Sequence, residues 1–206
     1  MEDLKNLKCL LPDAQKVLQE LIKHSFLSKY VLVGGSALSL HLCHRKSEDL
    51  DFFTYENNFN TDEILGLFKY FQKKEILNRT NKLIDVLLDG VKVTFFNAHW
   101  DFLRSAKISN FNLATQEQIA IMKTNVLFLR AKYRDYYDLY FLIKKFGIQK
   151  VYEMSKGVVE GINFKVFASA LLYIDDIEDE KINHLQPKEK LSLHKIREFF
   201  EQELKK

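Results

Sequence analysis

Two short segments in the first quarter of the chain contain residue types that could bind a nucleotide and its metal ion. Gly34-Gly35-Ser36 follows an apolar run at residues 30–33, and Asp49 and Asp51 come after twelve further residues. Glycine lets backbone N–H groups approach an anion closely, and the first turn of a following helix offers additional N–H donors. The first segment is therefore a candidate phosphate-binding turn, with Gly34, Gly35 and Ser36 as nucleotide-binding residues.

The second segment, Asp49-Leu50-Asp51-Phe52-Phe53, could hold a metal ion. Alternate side chains of a strand point to the same side, so the two carboxylates would lie about 6.6 Å apart. At that separation they repel by roughly 2.5 kcal/mol at an effective dielectric constant of about 20. A shared cation would relieve the repulsion, and oxygen-only ligands favour Mg²⁺ or Mn²⁺. Asp49 and Asp51 are therefore the predicted metal ligands, with phosphate as a further ligand.

Hydrophobic periodicity predicts the elements that position these segments. In the first half it indicates helices at 12–27, 36–43 and 61–77 and strands at 30–33, 50–53, 82–88 and 91–96. Ser36 is expected to cap the helix that follows it, and Asp89-Gly90 is a strong hairpin signal. From Thr115 onward the period is helical, with further helices at 133–145, 164–173 and 191–204. Strands early and helices late predict an α+β fold with a helical second lobe.

A second group of charged residues lies in the helical half. Lys123, Arg130, Arg134 and Asp138 would form one stripe on an unbroken helix, spanning about 22 Å at 1.5 Å per residue. A bend near Ala131-Lys132 would bring the two halves of the stripe together. Such a cluster could bind nucleotide phosphates; the alternative is a solvated charged face whose exposed ion pairs contribute under about 1 kcal/mol each.

In combination, these segments resemble a known family. Gly34-Gly35-Ser36 with Asp49-x-Asp51 is similar to the nucleotidyltransferase superfamily that includes DNA polymerase beta. More narrowly, segments 33–40, 44–53, 134–142 and 172–176 resemble the AbiEii/AbiGii toxin family over nearly the whole chain. The resemblance implies a nucleotidyltransferase-type small mixed sheet with flanking helices in residues 1–112 and a mainly helical lobe in residues 113–206.

The resemblance also implies an activity. An acceptor hydroxyl or phosphate would attack the α-phosphate of a nucleoside triphosphate (NTP), with pyrophosphate as the leaving group. Asp49, Asp51 and Lys123 would be catalytic, and Lys123, Arg134 and Asp138 would join the glycine turn in binding the nucleotide. The implied acceptor is RNA, such as the acceptor end of tRNA, or a protein. The implied biological role is that of a toxin in a toxin–antitoxin or phage-defence pair, with a possible cognate antitoxin as partner.

One position departs from the family pattern. Fully equipped members add a third acid on a neighbouring strand, where it can contact a metal and accept the proton of the attacking group. Aligning residues 91–96 with that strand places Thr94 at this position, and a threonine is a weak metal ligand and no base near neutral pH. Asp85 on the other hairpin strand could substitute. Two alternatives therefore stay open: a nucleotide-binding protein with weak or lost catalysis, and an enzyme that modifies small molecules such as antibiotics.

Composition sets outer limits on these hypotheses. The 206 residues are 47% hydrophobic and 29% charged, with a formal net charge of +3. The near balance of charge neither requires nor excludes a nucleic-acid partner. No apolar run approaches the length of a membrane span, so the sequence predicts a soluble, cytoplasmic protein with no membrane partner. Cys9 and Cys43 are too few for a disulfide framework and lack the spacing of a metal site, so both are predicted to be reduced thiols.

Three further features each allow two interpretations. The turn His44-Arg45-Lys46 could contact phosphate or polynucleotide, or could simply be solvated. The tyrosines at 133, 136, 137 and 140 could stack on bases or pack in the core. The acidic run at 175–180 could recruit a basic partner or form a polar loop between helices.

Overall fold

Seven β-strands and eight α-helices make up most of the regular structure in the residues that the computed structural model describes, which are 6–55, 59–103, 105–108, 111–130, 132–177 and 182–206. The chain divides into two compact units, Met1–Thr115 and Gln116–Lys206. The first unit contains α1 (Pro12–Leu21), β1 (Val31–Val33), α2 (Gly34–Leu42), β2 (Leu50–Thr54), α3 (Thr61–Leu65), β3 (Lys74–Arg79), β4 (Leu83–Leu88), β5 (Val91–Asn97), β6 (Ser105–Ile108) and β7 (Phe111–Ala114). The predicted α+β class is confirmed.

One mixed sheet joins the seven described strands in the order β3-β4-β5-β2-β1-β7-β6. At its centre β1 pairs antiparallel with β2 and parallel with β7, and β2 pairs parallel with β5. The pairs β3–β4, β4–β5 and β6–β7 are antiparallel. The two candidate segments therefore lie side by side at the middle of the sheet, because α2 begins directly after β1 and β2 is the neighbouring strand.

The two faces of the sheet differ in burial. Alternate residues of the central strands are fully buried and form the core, as in the stack of Phe52 on Phe95 with ring centroids 5.4 Å apart. The residues between them on β2 and β4 are only half-buried. Asp51 and Asp85 belong to this half-buried set, so both carboxylates lie on the less covered face.

The predicted hairpin is confirmed. Asp89 and Gly90 connect β4 to β5 with φ angles of +46° and +88°. Positive φ at both central residues is what a type I′ turn requires, and its twist matches that of the flanking strands. This turn fixes the register that places Asp85 opposite Thr94.

The helix predicted at 61–77 is wrong beyond its first half. Residues Thr61–Leu65 form α3 and Gly66–Tyr70 continue as a 3₁₀ helix, but Lys74–Arg79 form the edge strand β3. Every side chain of β3 is exposed. Buried and exposed side chains therefore do not alternate along β3, and its pairing with β4 determines its conformation.

The segment that precedes α1 binds to the region around the end of α2. Leu10 forms a parallel bridge with Ser47, and the Leu11 N–H donates to the Ser47 carbonyl at 2.8 Å. The Asn6 side-chain amide donates to the Leu40 carbonyl at 2.8 Å. These contacts connect the first described residues of the chain with both α2 and the loop that follows it.

The prediction of two reduced thiols is wrong. Cys9 and Cys43 form a disulfide, with Cα atoms 5.2 Å apart and a sequence separation of 34. That Cα separation lies within the usual range for a disulfide. The pairing depends on the long-range contacts of the amino-terminal segment, so sequence spacing gave no sign of it.

The second unit is built from helices: α4 (Gln116–Leu129), α5 (Tyr133–Phe146), α6 (Ile148–Lys156), α7 (Phe164–Leu172) and α8 (Leu193–Leu204). The predicted helices at 133–145, 164–173 and 191–204 correspond to α5, α7 and α8. Asn163 and Ser192 cap α7 and α8 through their side-chain oxygens. The acidic run predicted at 175–180 lies only partly within the described residues.

Among the described residues, no helix is both long enough and apolar enough to cross a membrane.

Candidate active site

The turn between β1 and α2 brings a carboxylate against the start of a helix. Gly34 is the first residue of α2 and has a φ of +67°, a region that side chains other than glycine rarely occupy. A Cβ added to Gly34 would lie 2.8 Å from Oδ2 of Asp51. Both the backbone conformation and the close approach therefore require glycine here. The Asp51 carboxylate therefore lies beside the first turn of α2.

Ser36 lies inside α2 and not at its cap, so the predicted capping role is wrong. The cap position belongs to Val33, whose backbone is extended. The buried Ser36 hydroxyl donates to the backbone carbonyl of Asp49. Ser36 thus ties the glycine turn to the segment that carries the two acids, and its predicted contact with the nucleotide remains a prediction.

The loop after α2 contains a buried arginine. Arg45 is 4% exposed, and its Nη1 donates to the Lys46 carbonyl at 2.9 Å. A Cβ added to Gly35 would lie 2.5 Å from Arg45 Nη2 and 3.4 Å from Ser47 Oγ. The interpretation of residues 44–46 as a solvated turn is therefore wrong for Arg45. Its guanidinium lies against Gly35. The sequence shows only that a charged residue precedes the two acids, and it gives no sign of this contact.

A row of polar side chains crosses the half-buried face of the sheet. Asp51 on β2 is in register with Thr94 on β5, and Thr94 is in register with Asp85 on β4. The Thr94 hydroxyl donates to Asp85 Oδ1 at 2.6 Å, and Lys92 Nζ lies 3.7 Å from the same oxygen. The predicted alignment of Thr94 beside Asp51 is confirmed by this register. Asp85 is one strand further away and is joined to the row through Thr94.

The donor set suits a hard divalent ion. Among the described residues, no group of three or more His, Cys, Asp or Glu side chains is arranged to hold a metal. Asp51 Oδ2 nevertheless lies beside the start of α2, and Asp49 comes two residues earlier in the chain. Mg²⁺ is typically bound by one or two carboxylates together with substrate phosphates. The residues present therefore fit a metal ion whose coordination the substrate completes.

The second unit contains a buried ion cluster. Lys123 on α4 is 8% exposed by side chain, and its Nζ lies 2.7 Å from Asp135 Oδ1 and 2.7 Å from Asp138 Oδ2 on α5. Arg130 Nε lies 3.6 Å from the second oxygen of Asp135. The predicted break near residue 131 is present, because α4 and α5 are separate helices and Lys132 between them is extended. Lys123 and Asp138 are thus brought together, and the exposed-face alternative is wrong for both.

The four tyrosines of α5 are packing residues. All four are buried, and the hydroxyls of Tyr133, Tyr136 and Tyr137 donate to backbone carbonyls of other segments. Burial, with smaller contributions from neighbouring charges, raises the pKa of the Tyr136 hydroxyl well above its ordinary value. The proposal that they stack on bases is wrong, because their rings lie in the core of the second unit.

Comparison with known families agrees with this geometry. Residues 16–101 match the family described as "Nucleotidyl transferase AbiEii toxin, Type IV TA system". The matched segment contains the glycine turn, both acids of the Asp49-x-Asp51 pair and the Asp85–Thr94 pair. The family resemblance seen in the sequence is confirmed.

Comparisons over longer stretches extend the likeness. An uncharacterized protein of Aquifex aeolicus, aq_aa25, is 27% identical over 202 residues, covering 95% of this chain and 96% of that protein. The crystal structure of JHP933 from Helicobacter pylori matches with a TM-score of 0.60 and 21% identity, covering 95% of this chain and 94% of that one. The structure of ANT(2")-Ia with adenylyl-2"-tobramycin matches with a TM-score of 0.52 and 12% identity, over 70% of this chain and 96% of that one. These structures show a shared fold.

Proposed function

Because residues 16–101 carry a domain of the AbiEii nucleotidyltransferase family, we propose that this protein transfers a nucleoside monophosphate from an NTP to an acceptor with the help of a divalent metal ion. The acceptor is RNA, such as tRNA, or a protein. Pyrophosphate is the second product. In this proposal the protein is the toxin of a toxin–antitoxin or phage-defence system, and a cognate antitoxin is its partner.

One observation carries the proposal. The Asp51 carboxylate lies against Gly34 at the start of α2, where the backbone N–H groups of the first helical turn have no partners within the helix. Such a helix start favours negatively charged phosphate, and a carboxylate favours a metal cation. A metal–triphosphate complex has both charges and would satisfy both groups at once. The Ser36–Asp49 hydrogen bond supports this arrangement, because it fixes the distance between the two segments.

In this proposal Asp49 and Asp51 hold Mg²⁺ or Mn²⁺, and Gly34, Gly35 and Ser36 bind the triphosphate. The metal would neutralise the charge that develops on the phosphate oxygens during transfer. The protein's own contribution is to orient the α-phosphate for in-line attack and to keep the two acids together despite their repulsion.

Lys123, Arg134 and Asp138 are also proposed to bind the nucleotide. Two carboxylates share the Lys123 ammonium, which holds it in one position. A fixed ammonium is a suitable point charge for phosphate, since little side-chain entropy is lost when the phosphate binds. In this proposal Asp138 orients Lys123 through their 2.7 Å ion pair.

The test is a transfer assay with purified protein and each α-radiolabelled NTP in turn, in Mg²⁺ or Mn²⁺. Total tRNA, a protein extract and an aminoglycoside serve as separate acceptors. We expect label in tRNA or protein. Asp49→Asn and Asp51→Asn are each expected to lower transfer by about 100-fold or more, because even indirect partners of metal ligands contribute 10- to 100-fold.

Asp89→Asn is the matched control. It makes the same chemical change in the exposed β4–β5 turn, where Asp89 accepts a hydrogen bond from the Lys73 N–H that asparagine can also accept. We expect transfer to be unchanged in this variant. Absence of label from every acceptor would contradict the proposed function, and label in the aminoglycoside alone would instead establish the small-molecule alternative. Retained transfer in both site variants would contradict the site assignment.

A further inference from the structure

The Thr94–Asp85 pair occupies the place where a third carboxylate is expected. We propose that these two residues together accept the proton of the attacking acceptor group, with Thr94 as the catalytic residue that touches the acceptor and Asp85 as the positioning residue behind it. This inference rests on the proposed nucleotidyl transfer. It explains how turnover is possible although the position beside Asp51 holds a threonine.

The register of the sheet places the pair correctly. Thr94 is the direct neighbour of Asp51 across β2 and β5, and Asp85 is the direct neighbour of Thr94 across β5 and β4. Directly opposite residues in a sheet project from the same face. The order along this face is therefore metal ligand, hydroxyl, carboxylate, and the hydroxyl is the group nearest the metal ligand.

The hydrogen bond between the pair has the direction that the chemistry needs. Thr94 Oγ1 donates to Asp85 Oδ1 at 2.6 Å, a short distance typical of a hydroxyl bonded to an ionised carboxylate. Because the Thr94 proton points toward Asp85, the lone pairs of Oγ1 are directed away from it and can accept another proton. Thr94 is 7% exposed, so water competes little for this position.

The proton transfers balance. The acceptor oxygen forms a bond to the α-phosphorus, and the bond between the α-phosphorus and the bridging oxygen to the β-phosphate breaks with release of pyrophosphate. The acceptor proton moves to Thr94 Oγ1 while the Thr94 proton moves to Asp85 Oδ1. Thr94 is left neutral and Asp85 is left protonated, and Asp85 returns its proton to solvent after product release.

Four variants test this relay in the transfer assay, with the labelled NTP and the acceptor identified there, at saturating NTP. Asp85→Asn and Thr94→Val are each expected to lower kcat by about 100-fold, the lower range for loss of a general base, with little change in the KM for the NTP. Thr94→Ser keeps the hydroxyl and is expected to restore most of the kcat that Thr94→Val loses. The double variant Asp85→Asn/Thr94→Asp moves the carboxylate directly beside Asp51 and is expected to recover most of the loss.

The outcomes separate the relay from the proposed function. Unchanged kcat in Asp85→Asn or in Thr94→Val, with normal transfer by the unmodified protein, contradicts the relay and leaves the proposed function in place. Equal loss in Thr94→Val and Thr94→Ser also contradicts it, because only the first removes the hydroxyl. If Asp85→Asn fails to fold, as judged by circular dichroism, activity in the double variant supports the relay and an inactive, folded double variant contradicts it. Absence of transfer by the unmodified protein contradicts the proposed function itself.

Discussion

The two units treat their carboxylates in opposite ways. In the second unit, Asp135 and Asp138 are fully buried and share the ammonium of Lys123 at 2.7 Å each, and Arg130 Nε lies 3.6 Å from Asp135. In the first unit, Asp49 and Asp51 are half-buried, and Asp51 lies against the start of a helix. Carboxylates thus form a buried ion cluster in one unit and a half-buried candidate ligand set in the other.

This difference shows which measurement each cluster should affect. Removing one partner of a buried ion pair leaves an uncompensated charge in a poorly solvated place, and the cost appears as lost stability. Removing Asp49 or Asp51 takes away a metal ligand, but it also relieves the repulsion between the two carboxylates. The effect is therefore expected in metal binding and catalysis and not in stability. The predictions below test this distinction, in order of decreasing expected effect.

Lys123→Met is expected to lower the free energy of unfolding by about 3–5 kcal/mol, because two buried carboxylates lose their shared cation. Chemical denaturation followed by circular dichroism measures this change. The matched control is Lys150→Met on α6, where the lysine is exposed and the change should stay within about 0.5 kcal/mol. Equal free energies of unfolding in the two variants would show that Lys123 does not stabilise the two buried carboxylates. The proposed difference between the carboxylates of the two units would then be wrong.

Gly34→Ala is expected to destabilise the protein by about 1–2 kcal/mol, the usual cost of a left-handed backbone for a residue with a Cβ. Because the new Cβ would lie 2.8 Å from Asp51 Oδ2, the carboxylate must also move, and transfer should fall more than stability does. Denaturation and the transfer assay measure the two effects. In the control, Gly157→Ala, an added Cβ has open space at negative φ, so neither quantity should fall appreciably. Normal transfer by Gly34→Ala would show that the position of Asp51 is not critical.

Tyr136→Phe should cost about 1 kcal/mol, because the hydroxyl loses its 2.9 Å hydrogen bond to the Ala170 carbonyl. The pKa of Tyr136 is raised in the folded protein, mainly by burial, and the ordinary tyrosine value of about 10 applies on unfolding. The contribution of the Tyr136 hydroxyl to the free energy of unfolding is therefore complete below about pH 10 and decreases as the pH rises above that value. Melting temperatures between pH 8 and 11 should fall less steeply in Tyr136→Phe than in the exposed control Tyr70→Phe. Equal slopes would contradict this assignment.

Local signals explain which parts of the fold were predictable. Asp89-Gly90 specifies its own turn, so the β4–β5 hairpin and the Asp85–Thr94 register follow from neighbouring residues. The edge strand β3 has no such signal, because all its side chains are exposed and only its pairing with β4 makes it a strand. The four-residue strands β6 and β7 were also not predicted.

The candidate site was predictable to the level of residue types. The glycine turn lies beside Asp51 because β1 and β2 are neighbouring strands, a long-range pairing that the sequence did not specify. The role of Ser36 was not predictable, since its hydrogen bond to Asp49 depends on the loop between them. Arg45 was likewise missed, because a charged residue in a polar turn is ordinarily exposed and only the completed packing buries it against Gly35.

The contacts of the amino-terminal segment have a consequence for the glycine turn. Leu10 and Leu11 join Ser47 directly, and Cys9 is bonded to Cys43, so the loop that buries Arg45 is held at both ends by residues that precede α1. Substitutions in these residues are therefore expected to move Arg45 relative to Gly35 without altering either one. The amino-terminal segment acts as a remote support of the turn, although none of its residues belongs to the proposed chemistry.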